Sequence, residues 1–191
     1  MTFISKDISI LIDNVLQKFP EDRKKSAIIE SLLILQHHNN GYVTKEIIHE
    51  LSKYLSVSEI EIYEVATFYT MINTKPVGKN VIAVCNNVSC MLRGSDQILS
   101  HIEKKLNIKV GQSTMDNKFY LKDEVECLAA CNGAPMMQIN NDYFEDLDKE
   151  KTLKILDQIL KGETPKPGSY RGRINNEPEN NRKTLMDYKN A

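Results

Sequence analysis

Apolar residues recur every three or four positions through the first 75 residues of the chain, which is the period of amphipathic helices. Proline, asparagine and glycine interrupt the pattern where helices commonly end. The connections between the apolar segments are short, and short connections favour antiparallel packing of neighbouring helices. The pattern therefore predicts a small helical bundle with helices over residues 7–19, 23–38, 44–55 and 58–72.

The period of the pattern changes near residue 75. Residues 80–84 form a short β-branched run, which is typical of a buried strand. Two later segments flank an asparagine-rich turn at residues 140–141, a composition that favours a β-hairpin. The order strand, helix, strands, helix predicts a small α/β layer, so the fold class is α/β (α+β). The predicted strands are 80–84, 118–125, 136–140 and 142–145, and the predicted helices are 95–106 and 153–162.

The last thirty residues have a different character, with several prolines and glycines and few apolar side chains. Residues 161–191 hold seven basic and four acidic residues, a net charge of +3. Because the whole chain has a net charge of −1, residues 1–160 carry −4. A polar, basic segment of this kind favours an extended arm. The predicted organisation is a helical bundle over 1–76, an α/β domain over 77–162 and an extended C-terminal arm over 163–191.

The composition of the chain argues against several classes of function. The near-neutral charge argues against a nucleic-acid partner, and no run reaches the 18 apolar residues that direct membrane insertion would need. The N-terminus resembles neither a signal peptide nor a transit peptide, so a cytoplasmic location is expected. Glycines such as Gly78 and Gly94 are isolated, and no nucleotide-binding loop is present, so the chain is not expected to bind NADH or flavin itself.

The four cysteines form two tight pairs. Cys85 and Cys90 have the spacing C-x4-C, Cys127 and Cys131 have the spacing C-x3-C, and 36 residues separate the pairs. The first pair follows a predicted strand, and the second leads into a loop at 132–135. Loops at strand ends can bring several thiolates together without disrupting the sheet. All four cysteines are therefore candidate metal ligands.

Four kinds of chemistry use paired cysteines. Disulfides are disfavoured because nothing marks the chain as secreted, and a redox-active dithiol would have the spacing C-x-x-C. Structural zinc accepts four cysteines, but C-x4-C lies outside its usual spacing. A [2Fe–2S] cluster takes two thiolates on each iron, so its ligand pairs can come from separate loops, and C-x4-C occurs in plant-type ferredoxins. Spacing therefore favours iron–sulfur and leaves zinc open.

Several stretches of the sequence resemble the thioredoxin-like [2Fe–2S] subunit of NADH:quinone oxidoreductase, the family of the E subunit of respiratory complex I. They follow one another in the order found in that family and cover most of the chain. The stretches are EVATFY at 64–69, CNNVSC at 85–90, VECLAACNGAP at 125–135 with MMQIN and YFE after it, and the tail segments PKPG at 165–168, GR at 172–173 and EP at 177–178.

The resemblance implies a thioredoxin-like [2Fe–2S] ferredoxin domain with one [2Fe–2S] cluster. Its ligands would be Cys85, Cys90, Cys127 and Cys131, with the first pair on one iron and the second pair on the other. It also implies an electron-transfer subunit, not catalytic alone, whose cluster exchanges one electron with the flavin of the neighbouring NADH-binding subunit. Other peripheral-arm subunits of this respiratory-chain translocase would be further partners. The expected location is the cytoplasmic face of the inner membrane, or the matrix side in a mitochondrion.

Two alternatives remain at this point. The same type of subunit occurs in NAD-linked hydrogenases and formate dehydrogenases, because the electron acceptor is chosen by partner subunits. A zinc-stabilised interaction module is the alternative that cysteine spacing allows. Both alternatives use the same four cysteines, so the sequence does not separate them from an NADH:quinone oxidoreductase subunit.

Some residues depart from the family pattern or invite specific expectations. Ala129 stands where the family usually has glycine, which asks for slightly more room near the cluster, and 180–182 replace a usual Gly-Gly-Leu. Pro135 occupies a position where thioredoxin-like folds often have a cis proline, and the sequence leaves cis and trans open. Around the ligands we expect hydrogen-bond donors from Asn86, Asn87, Ser89, Asn132 and Gly133, exclusion of water by Met91, Leu92 and Leu128, and a solvent-facing Glu126.

Overall fold

A computed structural model describes residues 2–177 of the chain. The chain divides into two compact units, with the boundary between Lys79 and Asn80. The predictions for Pro178 and for residues 180–182 lie outside the described residues. Within residues 2–177 the helices are all too short or too polar to cross a bilayer.

The first unit is helical, as its apolar spacing predicted. Thr44 caps the third helix by accepting a hydrogen bond from the Ile47 N–H at 3.3 Å, and the Glu61 carboxylate accepts the Ser58 N–H at the start of the fourth. Fully buried side chains from all four helices form one core, including Ile12, Leu32, Leu51 and Ile62. The helices are α1 (Lys6–Leu16), α2 (Ile28–His38), α3 (Lys45–Leu55) and α4 (Glu59–Phe68), with a 3₁₀ segment at Glu21–Ala27 before α2.

Three helices end early or begin late relative to the prediction. The first ends at Leu16 rather than at residue 19. The segment before α2 is 3₁₀ because Arg23 has non-helical backbone angles, with φ −117° and ψ 33°. The fourth helix ends at Phe68 rather than near residue 72, since Tyr69 is extended. The chain after α4 is then held by α2, where the Gln36 side chain bonds the backbone of Met71 and Asn73. These bonds join residues 35 or more positions apart, which local spacing does not reveal.

The second unit is built around a six-stranded mixed sheet with strand order β2-β3-β1-β4-β5-β6. The central strand β1 pairs in parallel with β3 and antiparallel with β4. The predicted hairpin is confirmed, with Asn140 in the left-handed region at φ 54° between β4 and β5. The strands are β1 (Asn80–Val84), β2 (Gln112–Ser113), β3 (Phe119–Leu121), β4 (Met137–Ile139), β5 (Asp142–Glu145) and β6 (Gly168–Ser169).

Between residues 80 and 177 the second unit has three α-helices: α5 (Val88–Leu92), α6 (Ser95–Leu106) and α7 (Lys149–Leu160). Side chains of α6 and α7 share one core with the sheet, in which Ile102, Phe119, Leu121 and Ile155 are almost fully buried. Burying a side chain of this size contributes about 1.5–3 kcal/mol. This core includes side chains of the sheet, and the residues that follow β1 belong to a separate small cluster. The α/β class predicted from the sequence is confirmed.

Several short elements were missed. The strands β2 and β6 are two residues long and α5 has five residues, so none of them repeats a period often enough to be recognised. The predicted strand 118–125 reduces to Phe119–Leu121. In the described part of the C-terminal arm only β6 is a strand; it joins the arm to the edge of the sheet in parallel with β5, and turns follow it at residues 170–171 and 175–176.

Candidate metal centre

The first cysteine pair lies at the end of the central strand. Cys85 directly follows β1, and its N–H donates to the Met136 carbonyl at 3.2 Å. Cys90 lies on the short helix α5, which Asn87 opens as its N-cap residue. Both thiols are buried, with 2% and 1% of the cysteine surface exposed. The strand and the turn of helix therefore hold this pair inside the domain.

The second pair lies on the loop between β3 and β4. The sulfur atoms of Cys127 and Cys131 are 3.9 Å apart, and both residues are exposed. Cys131 begins a single 3₁₀ turn, Cys131–Gly133. Between the two cysteines Ala129 has φ 58°, a left-handed conformation that costs a non-glycine residue about 1–2 kcal/mol. Ala129 is exposed, and its backbone conformation explains why glycine suits this position.

The two pairs lie close together. Leu128 and Ala130 of the second cysteine loop pack against the cluster that contains Cys85 and Cys90. The thiols of Cys90 and Cys127 are near enough to lower the pKa of Cys85, and Cys131 is near enough to act electrostatically on Cys90 and Cys127. All four cysteines are free thiols, so no disulfide joins them. Among residues 2–177 no three potential ligands converge on one ion position, and a binuclear cluster does not require such convergence because each iron takes two of the thiolates.

Nearby backbone N–H groups lower the pKa values of three of the thiols against opposing effects. Burial alone would raise the pKa of Cys85, but hydrogen bonds from the N–H groups of Leu128 and Asn87 and from the neighbouring thiols outweigh it and hold that pKa below its ordinary value. Burial, a hydrogen bond to Cys85 and the charges of Cys85 and Cys131 raise the pKa of Cys90 to about 12, against an opposing bond from the Met136 N–H. Such donors stabilise thiolates, the form that binds metal.

The pKa of the exposed thiol Cys127 is also shifted. The Ala129 N–H lowers it, but a hydrogen bond to Cys131 and the nearby charges outweigh that effect, so the pKa of Cys127 lies above its ordinary value. Of the donors predicted from the sequence, Asn87 acts on Cys85, and it does so through its backbone. The donors at Leu128, Ala129 and Met136 were missed, because the type of a residue does not reveal where its backbone N–H will point.

The apolar wall of the site also differs from the expectation. Met91 and Leu92 are exposed, Leu92 by 77%, so the prediction that they exclude water was wrong. The residues that pack against Cys85 and Cys90 are instead Ala134 and Met136, with partly buried Leu128, Ala130 and Tyr143 beside them. Only Leu128 was anticipated. Met136 and Tyr143 were missed because they come from the hairpin of β4 and β5, 46 or more residues after Cys90.

The residues after Cys131 face the C-terminal arm rather than the thiols. The Asn132 side chain donates to the Asn176 side chain at 2.7 Å, and Gly133 is buried beside Glu145 and Arg173. The Gly133 N–H donates to the Ala130 carbonyl at 3.0 Å, so the donor role predicted for Gly133 was wrong, and the Asn132 side chain is bonded to the arm rather than to a thiol. Glu126 is exposed, as expected, and the Ala134–Pro135 peptide bond is cis, with both residues buried.

The donor set fits a [2Fe–2S] cluster. It offers four free thiols from two separate loops, two buried and two at the surface, together with backbone N–H donors at the sulfur atoms of Cys85, Cys90 and Cys127. Thiolate ligands and hydrogen bonds to their sulfurs are the two features by which proteins bind and tune such clusters.

Comparison with known proteins points in the same direction. The model of the family "Thioredoxin-like [2Fe-2S] ferredoxin" matches residues 12–160. The E subunit of the NADH-quinone oxidoreductase of Rickettsia conorii is 45% identical over 158 residues, which are 83% of this chain and 93% of that protein. The mitochondrial NADH dehydrogenase [ubiquinone] flavoprotein 2 of Dictyostelium discoideum is 38% identical over 178 residues, 93% of this chain and 72% of that protein.

A solved structure shares the fold. The crystal structure of an NAD⁺-reducing [NiFe]-hydrogenase in the air-oxidized state superposes with a TM-score of 0.58 at 23% sequence identity. The match covers 69% of this chain and 23% of the hydrogenase chain. At this identity the likeness concerns the fold alone.

Proposed function

Because the chain belongs to the thioredoxin-like [2Fe–2S] ferredoxin family, we propose that it is an electron-transfer subunit of an NADH:quinone oxidoreductase. One observation carries the proposal: the loop of the second cysteine pair packs against Cys85 and Cys90, in a chain that aligns with 93% of the Rickettsia conorii oxidoreductase subunit. In this proposal Cys85, Cys90, Cys127 and Cys131 hold one [2Fe–2S] cluster.

The burial of the thiols supports a specific pairing. Cys85 and Cys90 are both inside the domain and would bind one iron. Cys127 and Cys131 lie on one exposed loop with their sulfurs 3.9 Å apart and would bind the other. When bound, the cluster takes up and releases one electron. The protein's own part is to hold the four thiolates, to donate backbone N–H groups to their sulfurs and to shield the inner pair from water.

The exposed pair indicates how a partner would approach. Electron exchange requires a redox partner near the cluster, and the loop with Cys127 and Cys131 is the part of the site that reaches the surface. The partner we propose is the flavin- and NADH-binding subunit of the same complex, since this chain lacks a nucleotide-binding glycine motif of its own. The chain would therefore act only within the complex, beside other peripheral-arm subunits, on the cytoplasmic or matrix face of the membrane.

The cluster is tested directly on the purified full chain. A protein with two irons and two sulfides per chain, visible absorption and a paramagnetic signal on one-electron reduction supports the assignment. A colourless protein with one tightly bound zinc would refute it and support the zinc-stabilised module instead. The parent complex is tested by affinity purification from the source cells: an assembly that oxidises NADH with quinone supports the proposal.

A second candidate function rests on the resemblance of the sequence motifs. The same type of subunit occurs in NAD-linked hydrogenases and formate dehydrogenases, so an equivalent subunit of one of these enzymes is the alternative. A co-purified assembly with hydrogenase or formate dehydrogenase activity and without NADH:quinone activity would decide for it. The 45% identity to the Rickettsia protein over 83% of this chain favours the quinone-linked complex.

A further inference from the structure

A buried ion-pair network fastens the C-terminal arm to the sheet. The Arg173 guanidinium, with 10% of its side chain exposed, donates through Nη2 to Glu145 and through Nε to Asp146 at 3.2 Å. Asp146 is itself only 6% exposed. Buried charges of this kind are stable only when they are paired and hydrogen-bonded. The arm therefore has a fixed position here, which its polar composition did not indicate.

Ser169 completes the attachment. Its hydroxyl donates to Asp146 at 2.5 Å and accepts the backbone N–H groups of Arg171 and Arg173, each at 3.2 Å. One residue later, the N–H of Tyr170 donates to the Glu145 carbonyl at 3.0 Å. These bonds turn the chain after β6 so that Arg173 lies over the end of β5.

The same network reaches the second cysteine loop. A Cβ atom on Gly133 would lie 2.1 Å from Glu145 Oε2 and 2.6 Å from Arg173 Nη2, so the ion pair is packed directly against the loop backbone. The N–H of Asp146 donates to the Gly133 carbonyl at 2.7 Å. At the preceding position, Asn132 is bonded to Asn176 of the arm at 2.7 Å. Both residues that follow Cys131 are thus held by the arm or by the acidic residues it pairs with.

We propose that residues 169–176 form a clamp that positions the loop of Cys127 and Cys131, and that Arg173 is its central positioning residue. The proposal rests on the assignment of these cysteines as cluster ligands. Cys131 and Gly133 belong to one 3₁₀ turn, so fixing residues 132 and 133 fixes the direction from which the Cys131 thiol approaches. The inner pair does not need the clamp, because Cys85 and Cys90 are held by the core.

The expected consequence is a cluster that is released faster when the clamp is broken. Arg173→Gln removes the ion pair, and outer partners of metal ligands typically contribute about tenfold or more to metal retention. We therefore expect iron release from the cluster-loaded full chain to a chelator, followed by visible absorption, to accelerate by about this factor. Asn176→Ala removes only the bond to Asn132 and should accelerate release less. Lys166→Gln removes the same charge from an exposed position of the arm and serves as the matched control.

Amide hydrogen exchange on the same proteins separates positioning from general destabilisation. In Arg173→Gln, exchange should rise in residues 130–134 and 169–176 and stay unchanged in α6. Equal release rates for Arg173→Gln and wild type, or equal acceleration by Lys166→Gln, would overturn the clamp. If Arg173→Gln lowers the thermal midpoint of the whole domain, Asn176→Ala decides: faster release at an unchanged midpoint supports the clamp, and unchanged release refutes it.

The two proposals fail in different ways. A wild-type chain without two irons and two sulfides would refute the proposed function. If the wild-type chain holds a full cluster but substitutions at Arg173 and Asn176 do not change the rate of iron release, the clamp alone is refuted.

Discussion

The backbone N–H of Cys85 donates to the carbonyl of Met136 at 3.2 Å, and this bond ties the first cysteine pair to the strand hairpin. Met136 lies 46 positions beyond Cys90 in the sequence. Its side chain is fully buried against the same two cysteines.

Met136→Ala should therefore lower the free energy of unfolding of the second unit by about 3 kcal/mol, because a fully buried methionine leaves a cavity that the site cannot refill. Urea unfolding of the iron-free chain measures the loss. Met115→Ala is the matched control, since Met115 is fully exposed, and its midpoint should equal that of the wild type. Equal stability of the two variants would contradict the packing described for Met136.

Ala129→Gly should stabilise the loop of the second pair. Ala129 has φ 58°, and relief of this left-handed conformation is worth about 1 kcal/mol after the greater freedom of glycine in the unfolded chain is subtracted. Ala130→Gly is the control, because Ala130 has φ −111° and gains nothing from glycine, so it should be less stable than wild type. Urea midpoints of the three iron-free proteins test the order Ala129→Gly, wild type, Ala130→Gly.

Serine substitutions should separate the two cysteine pairs. Cys127→Ser and Cys90→Ser should both lose the normal visible spectrum, because a hydroxyl is a poor substitute for a thiolate ligand. In the iron-free state the two variants should differ in stability. Cys90 is buried, so a serine hydroxyl there should lower the free energy of unfolding by about 1–3 kcal/mol if it lacks a full set of hydrogen-bond partners. Cys127 is exposed, so its replacement by serine should leave the urea midpoint unchanged. A normal spectrum in Cys127→Ser would contradict its role as a ligand.

Asp148 should make the second unit's stability depend on pH. The residue caps α7, accepting the Lys151 N–H at 2.9 Å. Burial would raise its pKa, but this bond and the Lys151 ammonium outweigh burial, so the pKa of Asp148 lies below its ordinary value. A lowered folded pKa means that the charged form stabilises the fold above the ordinary aspartate pKa of about 3.9, and that this contribution is lost as pH falls through the folded pKa.

Asp148→Asn keeps a capping oxygen and removes the charge, and Asp148→Ala removes both. At neutral pH the alanine variant should lose about 1 kcal/mol and the asparagine variant less. As pH falls below the folded pKa, the difference between wild type and Asp148→Asn should disappear. Urea midpoints across pH give the result, and a difference that grows toward low pH would show that the sign is wrong.

Long or strongly periodic elements were predictable. The spacing of apolar residues predicted α1 to α4, and β1 and α6 were found at their predicted residues, because each contains enough positions to display its period. The capping residues Thr44 and Ser58 act within three positions. The short elements β2, α5 and β6 were missed because two to five residues do not define a period.

The candidate site likewise has features that the sequence predicted and features that it did not. Its four cysteines were identified from their spacing and from the resemblance of the surrounding motifs. The donors to their sulfurs were mostly mispredicted, since Leu128, Ala129 and Met136 act through backbone N–H groups. Ala129 was recognised as unusual, but its positive φ became evident only in the folded loop.

By itself the sequence determined the α/β class, the helical first unit and the identity of the candidate ligands, because these depend on periods and motifs within a few residues. Only the tertiary structure decided which cysteines are buried, that Met136 joins the first pair to the hairpin and that Arg173 reaches Gly133 beside the second. Those relationships join residues 40 or more positions apart. They arise because the sheet brings β1, β4, β5 and β6 side by side, a pairing that no local pattern encodes.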